Sequence, residues 1–267
     1  MNKKIGFIGT GNMAKALISG IIKSGFVSKN IFVSDINKKL LNCICKDYKL
    51  KKFYSNSDVV KYSDIIFLAV KPYQIEEVLK EIACVCSGNK LVISVAAGIK
   101  TSRIEKYLKK VSVVRIMPNT PALFGEGAIA IAAGKYASKT DVQFVEKLLS
   151  SCGIVVIVAE KDMDIVTAVS GSGPAYIFYI AEIMRCIAEK LGLKKDVSKK
   201  LVNQTLFGAS KMLTLSDVEP EILRQKVTSK GGTTEAAFKV LLKSNFGKIF
   251  EKAICVAVKR SKEISND

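Results

Sequence analysis

The chain has 267 residues, 49% of them hydrophobic, and its 42 Lys+Arg against 24 Asp+Glu give a formal net charge of +18. This length and composition predict one large domain with a sizeable core plus a smaller domain, and no apolar run reaches the roughly 18 residues that a membrane helix needs. The chain contains no histidine, which excludes histidine-based triads, zinc-protease motifs and a histidine general acid.

The positive charge does not by itself predict a nucleic-acid partner. Lysines carry the excess and are spread over almost every predicted helix, with no arginine cluster or interleaved aromatic platform. We therefore expect a solvated lysine-rich surface that helps to attract anionic cofactors and substrates. The lysine pairs are Lys38-Lys39, Lys51-Lys52, Lys109-Lys110, Lys194-Lys195 and Lys199-Lys200.

The seven cysteines are expected to be reduced thiols in a soluble cytoplasmic protein, because their number is odd and no secretory segment is evident. The two C-x-C pairs are the only candidates for a thiolate metal site. Cys43 and Cys45 fall in a helical stretch, Lys39–Asp47, where side chains at i and i+2 point to nearly opposite faces. We predict no metal site.

Strands and helices alternate through the first 160 residues. After the strand Lys4–Ile8 and a helix through Ala16–Ile22, strands are predicted at Ile31–Ser34, Lys51–Tyr54, Asp64–Val70, Lys90–Val95, Ser112–Met117, Gly127–Ala133 and Ile154–Val158. Further helices are predicted at Gln74–Cys84, Thr101–Leu108 and Lys139–Ser150. Continuous apolar strands favour a parallel sheet covered on both faces, and the alternation makes it doubly wound.

Beyond about Ala159 only helical spacing remains. The helices are predicted at Glu160–Val169, Pro174–Leu191, Val197–Thr214, Glu219–Val227, Thr233–Lys243 and Phe246–Ile264. We therefore predict an α/β protein with a doubly wound, mostly parallel sheet in residues 1–160 and an all-helical domain in residues 161–267. The run Val169–Ile180 is too apolar to face water on all sides, which favours burial against a partner subunit.

A dinucleotide fingerprint follows the first strand. The segment Gly9–Ala14 reads G-x-G-x-x-A, in which Gly9 permits the tight turn, Gly11 admits a pyrophosphate and Ala14 allows close helix–strand packing. Asp35 ends the second strand, where an acid would meet a ribose hydroxyl. The alternative is a structural glycine turn in a sheet that binds no nucleotide.

Three further loops end predicted strands, where open α/β sheets bind ligands. In Ala69–Pro72, Lys71 is either a ligand contact or a surface lysine, and Pro72 suits the start of a helix. The small residues Val95–Gly98 indicate either ligand approach or tight packing. Arg115–Pro121 holds Asn119 between two prolines, which favours a rigid loop lining the substrate cavity over a purely structural turn.

Two segments of the helical half are rich in glycine and hydroxyl groups. In Ser170–Tyr176, Ser172 is expected to cap a helix whose first turn contains Pro174. In Lys226–Thr234, two glycines lie among four hydroxyl residues just before a helix. This pattern fits an ordinary helix N-cap, and it equally fits a cradle in which backbone N–H groups bind a carboxylate.

Together these blocks resemble the pyrroline-5-carboxylate reductase family. The resemblance spans essentially the whole chain, and its blocks keep the family's order and spacing: Gly6–Ala14, Arg115–Ala122, Ser170–Tyr176 and Val227–Thr234. It implies a Rossmann domain joined to a helical dimerisation domain, with homodimers that often assemble into larger rings. It also implies reduction of 1-pyrroline-5-carboxylate to proline by NADPH or NADH, the last step of proline biosynthesis.

The resemblance also implies the site residues. The loop Gly9, Thr10, Gly11, Asn12 and Met13 would hold the pyrophosphate, Asn56 would lie near the adenosine part, and Ala69, Val70, Lys71 and Pro72 would border the nicotinamide half. The dinucleotide fingerprint itself adds Ser34 and Asp35, at the end of the second strand, to the cofactor contacts. Ser229, Gly231, Gly232 and Thr233 match the carboxylate-binding loop, with Asn119 on the substrate side, and Thr234 matches the catalytic hydroxyl beside the substrate nitrogen. Lys230 stands where many members have proline, which puts substrate affinity in question.

This chemistry suits a chain without histidine. A cyclic imine can take its proton from solvent, so the protein has to position two planar reactants rather than supply an acid. Cofactor choice stays open, because Asp35 favours NADH whereas Ser34, Asn37 and Lys38 could receive the 2′-phosphate of NADPH. The alternative functions are another two-domain reductase, such as a β-hydroxyacid dehydrogenase, and a non-catalytic dinucleotide sensor.

Overall fold

The computed structural model describes residues 3–266. The described chain divides into two units, one formed by the residues up to Pro174 together with those from Val256 onward, and the other by Ala175–Cys255. The domain boundary predicted at residue 160 stays a prediction. Each unit is described by itself below.

The first unit is built on an eight-stranded sheet in the order β3-β2-β1-β4-β5-β6-β7-β8. The strands are β1 (Ile5–Ile8), β2 (Ile31–Ser34), β3 (Lys51–Lys52), β4 (Ile65–Leu68), β5 (Leu91–Ser94), β6 (Ser112–Met117), β7 (Gly127–Ala133) and β8 (Gly153–Ile157). Strands β1 to β6 are parallel to one another, β7 runs antiparallel to β6, and β8 is parallel to β7. The predicted doubly wound, mostly parallel sheet is confirmed.

The strand order reverses beside β1, because β1 pairs with β2 on one side and with β4 on the other. The carboxyl ends of parallel strands at such a reversal frame the crevice in which open α/β sheets bind ligands. The loops after β1, β2 and β4 therefore meet at one edge of the sheet.

Both faces of the sheet carry a hydrophobic core. Ile5 and Phe7 face one cluster while their neighbour Ile8 faces the other, as expected from the alternation of side chains along a strand. Phe7 stacks on Phe67 of β4 with ring centroids 4.3 Å apart. Helices cover each face, so the apolar strands are buried on both sides.

Twelve α-helices are present among the described residues. They are α1 (Asn12–Lys23), α2 (Lys38–Tyr48), α3 (Asn56–Tyr62), α4 (Ile75–Ile82), α5 (Thr101–Leu108), α6 (Lys139–Leu149), α7 (Met163–Val166), α8 (Gly173–Lys190), α9 (Lys195–Leu215), α10 (Pro220–Lys226), α11 (Thr233–Lys243) and α12 (Phe246–Asn266). None of the helices within residues 3–266 combines the length and apolar character required of a membrane span.

The second unit has almost no interior of its own. Between residues 175 and 255 only Ser198 and Val202 are buried. Large apolar side chains lie exposed along α8 and α9, including Phe178, Phe207 and Leu215. Exposed apolar surface on this scale marks an interaction site.

The segment 160–172 departs from its prediction. In place of one helix over Glu160–Val169, the chain forms a 3₁₀ turn at Glu160–Asp162, then α7, then a π-helical turn at Thr167–Gly171. The expected cap at Ser172 is wrong, because its backbone is helical and its N–H donates to the carbonyl of Thr167. Hydroxyl groups of Thr167 and Ser170 bond back to carbonyls four residues earlier, a pattern that bends helices.

Candidate active site

The glycine loop leaves the start of α1 open to a ligand. Gly11 is the N-cap of α1, no side chain caps the helix there, and nothing lies within 4 Å of the position that a Cβ on Gly11 would take. The first N–H groups of a helix have no intrahelical partner and carry partial positive charge. This arrangement fits the pyrophosphate of a dinucleotide.

The loop after β4 touches the glycine loop. Gly9 has φ +95°, and a Cβ there would come within 2.5 Å of the carbonyl oxygen of Ala69. Val70 is partly buried and Lys71 is exposed, while Pro72 begins a 3₁₀ turn. The structure thus brings the two predicted cofactor loops, Gly9–Met13 and Ala69–Pro72, to the same edge of the sheet.

Asp35 is tied to the glycine loop. Its Oδ2 accepts hydrogen bonds from the backbone N–H of Thr10 at 2.6 Å and from the Thr10 hydroxyl at 2.7 Å. Its Oδ1 accepts from the N–H of Asn37 at 2.7 Å. Asn37 in turn caps α2, since its side-chain oxygen accepts from the N–H groups of Lys39 and Leu40. These contacts fix the direction of the Asp35 carboxylate.

Ser34 and Asn56 form a second fixed group at the end of β2. The buried Ser34 hydroxyl donates to Oδ1 of Asn56 at 2.7 Å. The amide nitrogen of Asn56 donates to the Glu81 carboxylate at 2.6 Å, and the backbone N–H of Asn56 donates to the same carboxylate at 3.1 Å. Glu81 is a member of this group that no sequence signal indicated.

Asn119 is held by the first unit. Its side-chain nitrogen donates to the carbonyl of Ser170 at 3.1 Å, and its side-chain oxygen accepts from the N–H of Ala128 at 3.0 Å. The side chain is 7% exposed. These bonds join the loop after β6 to β7 and to the π-helical turn, and the substrate role of Asn119 stays a prediction.

A buried charged group also lies in the first unit. Arg115 of β6 is 2% exposed, and its guanidinium lies 3.8 Å from the Glu160 carboxylate. That carboxylate accepts hydrogen bonds from the N–H and the hydroxyl of Thr101, the first residue of α5. Burial lowers the pKa of Arg115, an effect that Glu160 and Asp164 oppose. The sequence offered one indication of this buried charge, which is the single arginine inside the otherwise apolar strand SVVRIM.

The hydroxyl-rich loop lies in the second unit. Gly231 has φ +75°, and α11 begins after Gly232 with no side-chain cap. Within residues 3–266, the hydroxyls of Thr233 and Thr234 make no hydrogen bond, so they and the first N–H groups of α11 are available. Ser229 packs against Gly232, because a Cβ added to Gly232 would come within 2.5 Å of the Ser229 hydroxyl oxygen. The Glu235 carboxylate accepts from the N–H of Gly231 at 2.8 Å.

The cysteines are all free thiols in the structure. Burial raises the pKa of Cys86 to about 11, which leaves that thiol unreactive at neutral pH. Across the described residues 3–266, no cluster of three or more His, Cys, Asp or Glu side chains is placed to bind a metal ion.

Two family models match the chain. The one described as pyrroline-5-carboxylate reductase dimerisation matches residues 160–264, and the one described as NADP oxidoreductase, coenzyme F420-dependent, matches residues 4–98. Pyrroline-5-carboxylate reductase 1 of Bacillus subtilis (strain 168) is 42% identical over 268 residues, which cover 99% of this chain and 90% of that protein. The chain belongs to the pyrroline-5-carboxylate reductase family.

Solved structures of pyrroline-5-carboxylate reductases agree with this assignment. The Plasmodium falciparum enzyme, crystallised with NADP bound, has a TM-score of 0.91 at 35% identity and covers 99% of this chain and 98% of its own. The Coxiella burnetii enzyme has a TM-score of 0.91 at 38% identity, with 99% of both chains covered. The predicted family and fold class are therefore confirmed.

A 3-hydroxyisobutyrate dehydrogenase from Mycobacterium tuberculosis represents the alternative class of two-domain reductases. It is 15% identical with a TM-score of 0.54, and covers 73% of this chain and 67% of its own. At that identity the likeness shows the fold alone, so the alternative function gains no support from it.

Proposed function

We propose that the chain is a pyrroline-5-carboxylate reductase, which reduces the C=N bond of 1-pyrroline-5-carboxylate to give L-proline in the last step of proline biosynthesis. The observation that carries the proposal is the 42% sequence identity to a pyrroline-5-carboxylate reductase, in an alignment that covers 99% of this chain. The glycine loop before α1 and the hydroxyl-rich loop before α11 supply the cofactor-binding and substrate-binding groups that this reaction requires.

The cofactor is NADPH or NADH, which supplies the hydride when it is bound. The N-terminus of α1 binds the pyrophosphate through its N–H groups. Residues Ala69–Pro72 border the nicotinamide half, and Ser34, Asp35 and Asn56 border the adenosine half. A neighbour of the same family, from P. falciparum, was crystallised with NADP bound.

The loop Ser229–Thr233 binds the substrate carboxylate. The uncapped start of α11 offers N–H donors and a favourable dipole, and the hydroxyls of Ser229 and Thr233 add donors. Thr234 directs its free hydroxyl to the ring nitrogen and thereby orients the imine. Because the chain has no histidine, the ring nitrogen takes its proton from solvent, and the protein acts by positioning.

The enzyme works as a homodimer, and homodimers assemble into a larger homo-oligomer. The support is the dimerisation model matched at residues 160–264 and the lack of an interior in Ala175–Cys255. We place the enzyme in the cytoplasm, where seven free thiols are stable. Its ligands are small molecules rather than nucleic acid or membrane.

The test is oxidation of NADPH and of NADH, followed by absorbance, on addition of 1-pyrroline-5-carboxylate to the purified chain. We expect substrate-dependent oxidation and formation of proline. Oxidation of 3-hydroxyisobutyrate with NAD⁺ or NADP⁺ tests the β-hydroxyacid dehydrogenase alternative. Cofactor binding without either reaction would support the sensor alternative and overturn the proposal.

A further inference from the structure

We propose that Asp35 makes NADH the preferred cofactor of this enzyme by rejecting the 2′-phosphate of NADPH. The inference rests on the proposed function and selects between two cofactors that the proposal leaves open. It follows from the hydrogen bonds that Ser34, Asp35 and Asn37 already make at the end of β2.

The Asp35 carboxylate is held toward the glycine loop. Thr10 donates two hydrogen bonds to Oδ2, and the N–H of Asn37 donates one to Oδ1. Each carboxylate oxygen has about two acceptor positions, so Oδ1 keeps capacity for a ribose hydroxyl. In NADH the 2′-hydroxyl can donate to it, whereas in NADPH that oxygen carries a phosphate with no matching donor at neutral pH.

Of the groups that could receive a 2′-phosphate, the Ser34 hydroxyl and the Asn37 N–H are already engaged, which leaves the exposed Lys38 side chain. The Ser34 hydroxyl donates to Asn56, the Asn37 N–H donates to Asp35, and the N–H groups of Lys39 and Leu40 donate to the Asn37 side chain. A 2′-phosphate is usually accommodated by a nearby arginine. The first arginine of this chain is Arg103, far along the sequence from β2.

The carboxylates at this end of β2 act in the same direction. Glu81 holds Asn56, so a second carboxylate accompanies Asp35 at this end of β2. The cations at the start of α2 are Lys38 and Lys39, both exposed. An exposed lysine is strongly hydrated and screened by salt, whereas Asp35 is fixed by three hydrogen bonds and is only partly exposed. We therefore expect the fixed Asp35 carboxylate to repel a phosphate more strongly than the exposed lysines attract it.

The experiment is isothermal titration calorimetry of NADH and NADPH against the full-length chain and the Asp35→Asn and Asp35→Ser variants. For the unmodified chain we expect NADH to bind roughly tenfold or more tightly than NADPH, since like charges in contact oppose binding. Both variants should lose most of this preference through tighter binding of NADPH. Asp47→Asn, which removes an acid at the far end of α2, is the matched control and should keep the preference.

Equal or tighter binding of NADPH by the unmodified chain would overturn the inference, even if no Asp35 variant folds. An unchanged preference in folded Asp35→Asn and Asp35→Ser would also overturn it, because the preference would then have another source. Failure to bind either cofactor would instead overturn the proposed function.

Discussion

Gly9 and Gly11 lie in one loop for different physical reasons. Gly9 has φ +95° and no room for a Cβ beside Ala69, whereas Gly11 has an ordinary φ of −68° and open space before it. We therefore predict that Gly9→Ala destabilises the fold by at least about 1–3 kcal/mol. Gly11→Ala should cost less than about 1 kcal/mol but weaken dinucleotide binding roughly tenfold or more, because its methyl group enters the pyrophosphate space.

Urea unfolding and calorimetric titration with NADH separate these two effects. The glycines serve as controls for each other, since each substitution adds one methyl group to the same loop. A Gly11→Ala variant that binds NADH normally would show that the space before Gly11 is not the pyrophosphate site.

Thr234 can be tested as the residue that orients the imine. Thr234→Ala should lower kcat/KM for 1-pyrroline-5-carboxylate roughly 10- to 100-fold, because misorientation of a bound reactant is costly. Its unfolding free energy should change little, since the hydroxyl has no hydrogen bond within the described residues. Thr234→Ser should recover much of the lost activity. Steady-state kinetics with NADH measure both variants.

The control for Thr234 is Thr205→Ala, which removes an exposed hydroxyl from α9 in the same unit. It should leave kcat/KM unchanged. If Thr234→Ala matched the unmodified enzyme, Thr234 would have no place in the mechanism and only the carboxylate role of Ser229–Thr233 would remain to be tested.

At the residue scale, sequence patterns indicated residues that leave space for a ligand. They did not indicate the residues that hydrogen-bond to other parts of the fold and fix their positions. Gly11 could be predicted because a bound pyrophosphate requires a small residue at that spacing. Glu81 and Glu160 could not, because each acts on a residue distant in sequence: Glu81 on Asn56, and Glu160 on Thr101. Such pairings depend on the tertiary fold.

At the element scale, the best predictions are segments whose ends carry strong local signals. Strands β2, β6 and β7 and helices α5 and α11 have the predicted bounds. The strand predicted near Lys51–Tyr54 is shorter and spans Lys51–Lys52, although the N–H of Phe53 still donates to the carbonyl of Val33 in β2. The π-helical turn at Thr167–Gly171 was missed, since the same residues also fit an α-helix by spacing.

Glu160 joins two elements, and its removal should show how much this junction stabilises the fold. Glu160→Ala leaves Arg115 buried without its partner and removes the acceptor for the first N–H of α5. We predict a loss of about 3 kcal/mol in unfolding free energy. Asp164, which also acts on Arg115, limits the loss. Urea denaturation with circular dichroism provides the measurement.

Two further variants separate charge from capping at this junction. Glu160→Gln keeps an oxygen for Thr101 but removes the charge, so it should fall between the unmodified chain and Glu160→Ala. Glu77→Ala, at an exposed position on α4, should stay within about 0.5 kcal/mol of the unmodified chain. A Glu160→Ala loss as small as that of Glu77→Ala would contradict a stabilising role for the pair.

At the scale of the whole molecule, the second unit buries few of its own side chains, and for this reason we expect a homodimer. Only Ser198 and Val202 are buried between residues 175 and 255, although this region contains three complete helices, α9 to α11, most of α8 and part of α12. The sequence analysis predicted burial against a partner subunit for Val169–Ile180 alone, because a continuous apolar run is present there. On α9 lysines interrupt the apolar residues, so no continuous apolar run in the sequence indicated that this helix also leaves apolar side chains exposed.

Phe178 of α8, 65% exposed in the single chain, offers the sharpest test of the proposed homodimer. Phe178→Asp places a charge on the apolar face, and burial of an unpaired charge in an interface is strongly unfavourable. We predict that analytical ultracentrifugation shows the variant shifted toward monomer, with a lower Tm that rises with protein concentration. Tyr54→Asp, on an exposed aromatic of the first unit, should sediment like the unmodified chain. A Phe178→Asp variant with unchanged sedimentation would place the dimer interface elsewhere.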